Sequence, residues 1–394
     1  MLLFIIILLT IEVLSFLTLK DYFSNRSKPV NFIFMSMHLM LSVLLWFLFI
    51  RIIFYKGTFD TPANVADRMN LTGMICGVIV PRFVLILLHY SGKLLRLKKG
   101  GYIRWMTRSG LIFACFVLAV VATGTFFGRF NFKTEEIKIS YKDLPPGLNG
   151  IRIVHISDLH LAGFYRHEGE LEKVMDRINL LDPDIIINTG DFVTYGWREF
   201  DRFDTILSKA KSKYGSCAIP GNHDAGTYMP LTNEEDKGIN VLKINESIIS
   251  SGYILLGDEN IITNINGSKV AFIGVTTGGR HPGITHGDLD KAMKGTDSAD
   301  FRILLAHDPN QWEEDVSGKT DIDLTLSGHT HGMQIGIITK RFRWSPSKYF
   351  YPNWGGLYRN GEQVLYVNRG LGVLAIPFRI WMPPEITVIT LESG

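Results

Sequence analysis

Four apolar stretches, each long enough to cross a bilayer, crowd the front of this 394-residue chain. They run over roughly Met1–Leu19, Asn31–Tyr55, Met69–Tyr90 and Gly110–Gly128. Such a segment has few options: with no water to satisfy its peptide groups, it becomes a helix. The first stretch lacks a basic leader and a small-residue cleavage site, so it is expected to be retained. Beyond Arg129 the apolar runs shorten and alternate with amphipathic segments. The expected division is a transmembrane region of about four helices over 1–130 and a globular α/β domain over 131–394.

Orientation follows from the short loops, because Lys and Arg stay on the cytoplasmic side. The loop Ser91–Ser109 carries Lys93, Arg96, Lys98, Lys99, Arg104 and Arg108 and no acid. The first loop has Lys20, Arg26 and Lys28 against Asp21, and the second balances Lys56 and Arg68 with Asp60 and Asp67. The first and third loops are expected inside and the second outside. The N-terminus and everything after Gly128 are then outside. Two charges fall within the spans, Glu12 and Arg82. Each lies about 12 residues in, roughly 18 Å of helix. Matched depth and opposite sign suggest an interhelical pair; separate contacts with water or headgroups are the alternative.

The net charge of +3 gives no reason to expect a nucleic-acid partner. Three cysteines, Cys76, Cys115 and Cys217, make neither a disulfide framework nor a thiolate metal site. Oligomeric state is not legible.

In the globular part, Ile151–Ile156, Asp184–Asn188 and Tyr214–Ile219 read as strands. Helical spacing appears between them, over Glu170–Leu181 and Arg198–Lys211. This β-α-β-α-β order implies a parallel sheet with right-handed crossovers. Asn260–Ile265 and Lys269–Val275 read as a hairpin through Asn266-Gly267. Phe301–Ala306, Ile322–Leu326, Gln363–Val367 and Ile386–Leu391 supply further strands, expected to form a more antiparallel sheet. Arg129–Thr134 is the expected linker.

Five of these strands end in metal-ligating groups. Asp158 and His160 follow the first, Asp191 the second, and Asn222-His223-Asp224 the third; His307, then His329 and His331, follow two later ones. Ligands in α/β sheets bind beyond the carboxyl ends of strands, so these ends can converge on one cleft. Seven donors, Asp158, His160, Asp191, Asn222, His307, His329 and His331, exceed what one ion takes in an open catalytic site. They suit two divalent ions sharing a bridge. Oxygen and imidazole donors without thiolate fit Mn, Fe or Zn, with Mg also possible.

The succession D-x-H, G-D, G-N-H-D, a lone His and G-H-T-H resembles the calcineurin-like metallophosphoesterases over about Glu136–Glu392. Gly370-Leu371-Gly372 and Pro383-Pro384-Glu385-Ile386 resemble the ending of its bacterial membrane-associated branch. The resemblance implies a sandwich of two sheets flanked by helices. It implies that Asp158, His160 and His331 hold one ion, that Asn222, His307 and His329 hold the other, and that Asp191 bridges them. Met333 and His307-Asp308-Pro309 depart from the commoner pattern without removing a ligand.

His223 stands beside the ligands as a proton donor for a leaving oxygen, with Asp224 to orient it; a positioning role for Asn222 is the alternative. His155, within the first strand, reads as a core histidine. Arg280, His281 and His286 are candidates to contact substrate phosphate, or are simply solvated. The stretch Arg341–Arg359 interleaves basic and aromatic residues, which suits a lipid headgroup region or a loop packed on the core.

The implied chemistry is hydrolysis at phosphorus, with water attacking in line. Membrane tethering points to a phospholipid, a lipid-linked phosphate or a cell-envelope phosphodiester as substrate. One rival is a pyrophosphatase of a nucleotide-activated acyl sugar, whose substrate is cytoplasmic. The other is a catalytically silent membrane scaffold, although such members usually lose ligands.

Overall fold

The computed structural model describes residues 2–24, 27–96, 102–230, 233–280, 283–339 and 341–394. They form two compact units. One holds the apolar helices together with Ala375–Phe378; the other holds Gly57–Ala66, Gly128–Leu374 and Arg379–Gly394.

The apolar helices are α1 (Leu2–Phe23), α2 (Lys28–Ile53), α3 (Pro62–Met74), α4 (Val80–Leu94) and α5 (Arg104–Phe126). A π-helical turn, Ile75–Ile79, joins α3 to α4, so among the described residues four spans are long and apolar enough to cross a membrane. This is a membrane protein. Large apolar side chains such as Phe32, Phe47, Phe83 and Phe116 stay exposed on the outer faces, where lipid tails would meet them. Inside, the expected Glu12–Arg82 pair is present: Arg82 Nη1 lies 2.5 Å from Glu12 Oε1. Ser42 donates to the other carboxylate oxygen, and Arg82 also donates to the His38 carbonyl at 2.9 Å.

The second unit begins with β1 (Lys133–Tyr141), β2 (Arg152–Ile156), α6 (Glu168–Leu180), β3 (Ile185–Asn188), α7 (Phe203–Leu207) and β4 (Ser216–Ala218). It continues through α8 (Glu234–Ser250), β5 (Ile254–Leu255), β6 (Glu259–Ile265), β7 (Ser268–Gly274), β8 (Thr277–Arg280), β9 (Gly283–His286), α9 (Leu289–Met293) and β10 (Phe301–Leu305). It closes with β11 (Leu324–Ser327), β12 (Ile337–Ile338), β13 (Arg343–Trp344), β14 (Gly356–Asn360), β15 (Gln363–Val367) and β16 (Glu385–Ser393).

Two six-stranded sheets result, ordered β1-β16-β2-β3-β4-β5 and β14-β15-β11-β10-β7-β6. Their facing sides pack through Ile153, Ile185, Ile187, Phe272, Ile303, Leu305 and Leu326, all buried. Helices α6, α7 and α8 cover the outer face of the first sheet with Leu171, Met175, Phe203 and Ile244. Area-proportional burial of these side chains is what makes the sandwich stable.

Three expectations need correction. The second sheet is parallel at its centre: β7, β10, β11 and β15 run alike, and only the edge strands β6 and β14 are antiparallel. Strands buried on both faces and joined by crossovers favour that arrangement. The helix expected over Arg198–Lys211 is broken into a turn, Trp197–Phe200, and the short α7. The break falls at Asp201, whose φ of 42° no helix accommodates. The expected linker overlaps a strand, since β1 starts at Lys133 and pairs in parallel with β16, Lys133 opposite Glu385. Beyond these, α8 and α9 were not anticipated. The Asn266-Gly267 hairpin formed as expected, with both residues at positive φ.

Candidate metal centre

The site lies where β2, β3 and β4 of one sheet and β10 and β11 of the other end. Backbone bonds tie their loops together: Asp158 N donates to Gly190 O at 2.8 Å, His160 N to Asp191 O at 3.1 Å and Gly328 N to His307 O at 3.0 Å. Carboxylates reinforce them. Asp158 accepts from His329 N at 3.0 Å, and Asp191 accepts from His223 N at 2.9 Å. The glycines at these turns admit the carboxylates. A Cβ on Gly221 would sit 2.2 Å from Asp191 Oδ1, and one on Gly328 would sit 2.4 Å from Asp158 Oδ2.

Six of the seven expected donors come together in two groups. Asp158, His160 and His331 form one buried group, and Asp191 and His307 form another with the half-buried His329; within each, one donor atom per residue lies within 4.8 Å of the rest. Asp191 faces both: its Oδ2 lies 3.2 Å from His307 Nε2 and 3.7 Å from His160 Nε2. Asn222 donates to Tyr228 OH at 3.1 Å, while its buried Oδ1 has no hydrogen-bond partner. Five donors, Asp158, His160, Asp191, His329 and His331, have φ between 41° and 69°. Side chains other than glycine seldom adopt that conformation, and its clustering marks a functional site.

These groups fit a pair of divalent cations. His160 Nε2 and His331 Nε2 face each other at 3.1 Å, and His307 Nε2 faces His329 Nδ1 at 3.2 Å. Imidazole nitrogens at that distance, together with two buried carboxylates, are what a cation needs as donors, and the orphan Asn222 amide oxygen is a further one. Burial holds His160 well below its ordinary range and His329 down to about 4, so both present lone pairs. Burial works to raise Asp158 and Asp191, but histidines, His331 for the first and His307 for the second, hold both carboxyls low. His307 differs. Burial lowers it, yet Asp191 draws it up to about 10, and a bound cation competes with that proton.

Outer partners set which nitrogen points inward. His307 Nδ1 donates to the Thr189 carbonyl at 2.6 Å, leaving Nε2 for the site. His329 Nε2 meets Tyr351 OH at 2.8 Å, leaving Nδ1. His160 Nδ1 lies 3.3 Å from Thr194 Oγ1, and His331 Nδ1 lies 3.3 Å from Nη2 of the buried Arg379. None of Thr189, Thr194, Tyr351, Tyr228 or Arg379 was singled out from sequence. Tyr351 alone left a trace, inside the basic-aromatic stretch.

His223 is buried beside the donors, its ring 5.0 Å from that of His160 and stacked 4.0 Å from Tyr228. Its Nδ1 donates to the Thr194 carbonyl at 2.7 Å. Asp224 does not orient it, contrary to expectation. The Asp224 carboxylate is consumed by the backbone N–H groups of Gly221 at 2.9 Å, Val193 at 3.1 Å and Phe192 at 3.2 Å, and so shapes the loop.

The phosphate-contact candidates are not gathered into the cluster. Arg280 donates to the Thr227 carbonyl and lies 5.1 Å over the Tyr228 ring, at the rim. His286 sits between carboxylates, 3.5 Å from Asp308 and 3.6 Å from Glu314. His281 lies outside the described residues. His155 is buried as expected, Nε2 2.9 Å from Thr189 Oγ1, although its Nδ1 has no partner. The basic-aromatic stretch divides: Tyr351 and Trp354 pack around Met382, whereas Phe342, Tyr349 and Phe350 are exposed.

Comparison with known proteins agrees with this geometry. Residues 151–333 match the model of the calcineurin-like phosphoesterase family. The uncharacterized metallophosphoesterase YkuE of Bacillus subtilis is 32% identical over 276 residues, covering 66% of this chain and 86% of that one. A transmembrane protein with metallophosphoesterase domain from Danio rerio is 30% identical over 291 residues, covering 71% and 63%. An uncharacterized metallophosphoesterase of Campylobacter jejuni is 28% identical over 283 residues, covering 70% and 69%. With all five strand-end blocks inside the matched region, and with that identity across most of a relative's length, the chain belongs to the calcineurin-like phosphoesterase family and is a phosphoester hydrolase.

Proposed function

We propose that the protein is a two-metal phosphoesterase of the membrane surface, acting outside the cytoplasm on a phospholipid, a lipid-linked phosphate or a cell-envelope phosphodiester. The observation that carries it is the shared carboxylate: Asp191 reaches both donor groups from one buried position. Asp158, His160 and His331 would hold one ion, Asn222, His307 and His329 the other, and Asp191 both. Mn, Fe or Zn suit these donors best. Such ions supply Lewis acidity towards phosphoryl oxygens and make water a nucleophile near neutral pH.

The protein's own residues do the rest. The turns carrying Gly221 and Gly328 hold the carboxylates rigid, so little reorganisation accompanies reaction. His223, fixed through Nδ1 on the Thr194 carbonyl, is left with Nε2 as the atom that gives a proton to the leaving oxygen. The loop charges support an extracytoplasmic site. A lipid substrate is supported by the apolar residues exposed on the segments next to the donors, Met333, Ile337, Phe342, Tyr349, Phe350 and Trp381, together with the exposed Arg341 and Lys348.

The test is the full chain in lipid nanodiscs, loaded with Mn, Zn, Fe or Mg and assayed on monoesters and diesters including phospholipids. Two bound metals with turnover on a lipid or envelope ester is the expected result. Two bound metals with no turnover on any ester would favour the silent scaffold.

A further inference from the structure

The loop between the second and third spans does more than connect them. Gly57–Ala66 belongs to the catalytic unit, and Asp60 within it is fully buried. A charged side chain is almost never buried so completely unless paired. Its Oδ1 accepts from Arg198 Nη1 at 3.1 Å, and its Oδ2 accepts from the Arg198 backbone N–H at 3.3 Å. The turn is so close that a Cβ on Gly196 would lie 2.5 Å from Asp60 Oδ2. Beside it, the Phe59 ring meets Tyr195 edge-on at 4.9 Å.

That turn reaches the reacting groups. Glu199 gathers it from inside, accepting from the N–H groups of Thr194 at 3.0 Å, Tyr195 at 2.6 Å and Gly196 at 3.2 Å. Thr194, at its head, touches two site histidines: its carbonyl takes the His223 Nδ1 proton at 2.7 Å, and its hydroxyl lies 3.3 Å from His160 Nδ1. A continuous run of contacts, half-exposed at Arg198 and buried at Asp60, Gly196, Glu199 and Thr194, therefore leads from Asp60 to His223. Among them, Asp60 alone is supplied by the connection between two membrane spans.

We propose that Asp60 is a positioning residue for the phosphoesterase reaction: the span-connecting loop braces the Thr194–Glu199 turn and thereby aims His223 at the leaving oxygen. The membrane segment is then part of the catalytic apparatus and not only an anchor. The inference rests on the reading of His223 as the proton donor. A displaced donor costs rate where the leaving group needs a proton and little where it does not. An alkoxide needs one; a nitrophenolate leaves without it.

The experiment uses the metal-loaded full chain and compares p-nitrophenyl with alkyl phosphoesters. Asp60→Asn keeps the shape of the side chain and removes its charge; Arg198→Gln removes the partner charge. Each is expected to lower kcat on the alkyl ester by roughly tenfold, with a several-fold smaller loss on the nitrophenyl ester and metal content retained. In a His223→Ala background, Asp60→Asn should cost less than about twofold on either ester, because the group it positions is gone. Equal loss on both esters, or the same loss with and without His223, overturns the inference and leaves Asp60 a stabilising ion pair. If His223→Ala itself shows no leaving-group dependence, the proton-donor reading falls first and this inference with it. If His223→Ala shows that dependence and neither single variant does, only this inference falls.

Discussion

The 370–372 turn, whose Gly372 N–H donates to the Asp158 carbonyl at 2.8 Å, is flanked by a buried ion pair whose rupture has a calculable signature. Glu385 is fully buried, with Arg369 Nε on one carboxylate oxygen and the hydroxyls of Tyr366 and Thr387 on the other. Burial works to raise the Glu385 carboxyl, but Arg369 and the two hydroxyls hold it below its ordinary 4.5. Arg369→Met removes the cation and leaves Glu385 two choices: stay charged without its counterion, or take a proton. It adopts the cheaper. At pH 7, protonating a carboxyl of ordinary pKa costs about 3.4 kcal/mol, from 2.5 units at 1.36 kcal/mol each. Removing one partner of a buried pair typically costs about 3–5 kcal/mol, so protonation sets the ceiling. At pH 5.5 the same step costs about 1.4 kcal/mol. The destabilisation by Arg369→Met should therefore shrink by about 2 kcal/mol between pH 7 and pH 5.5. The contact of Arg369 with the half-exposed Glu135 adds little. Urea unfolding of the full chain in detergent, at both pH values, measures the difference. Adding Glu385→Gln should abolish the pH dependence. A penalty equal at both pH values, or under about 1 kcal/mol at pH 7, would show that Glu385 does not depend on Arg369 for its charge.

Further outcomes follow from the same geometry. Asp191→Asn should deplete both metals and His331→Ala mainly one, read by elemental analysis; two tightly held metals in Asp191→Asn would refute the shared bridge. Burial pushes His155 down to about 4, below its ordinary 6.5, so the unfolded chain takes the proton first as pH falls. Its contribution is whole above pH 6.5 and is lost towards pH 4, about 3 kcal/mol in all. The stability gap between wild type and His155→Gln should narrow accordingly between pH 7 and pH 4.5, and a constant gap would contradict this. Cysteines introduced in Ser91–Ser109 should resist impermeant labelling in whole cells while one at Gly394 reacts; the reverse pattern would put the catalytic unit inside and revive the nucleotide-sugar substrate.

The donors were legible because each follows its strand within a few residues. A strand end and the side chain it aims are local properties, and the parallel β2-β3-β4 order was readable from two intervening helical patterns. Glu12 and Arg82 were legible because a membrane span turns sequence position into depth. What escaped depends on distant partners. Nothing in Lys133–Tyr141 announces β16, some 250 residues later, as its neighbour. Asp224 looks like an orienting carboxylate beside His223 until three backbone N–H groups claim it. Thr194 acts on His223 through a carbonyl that every residue possesses, so no side-chain pattern could single it out. Asp60 read as a loop charge balancing Lys56, and only the folded chain shows it buried.

The left-handed backbone at Asp158, His160, Asp191, His329 and His331 bears on survival as well as rate. Each such residue costs on the order of 1–3 kcal/mol, and the cost falls on a few short turns. A cation that binds only the folded chain returns about 4 kcal/mol when present at a thousand times its dissociation constant. Ion supply then governs how long the folded enzyme lasts. Chelation should lower the melting temperature of the catalytic unit and expose its turns to protease, so that a metal-starved cell would lose the protein along with its activity.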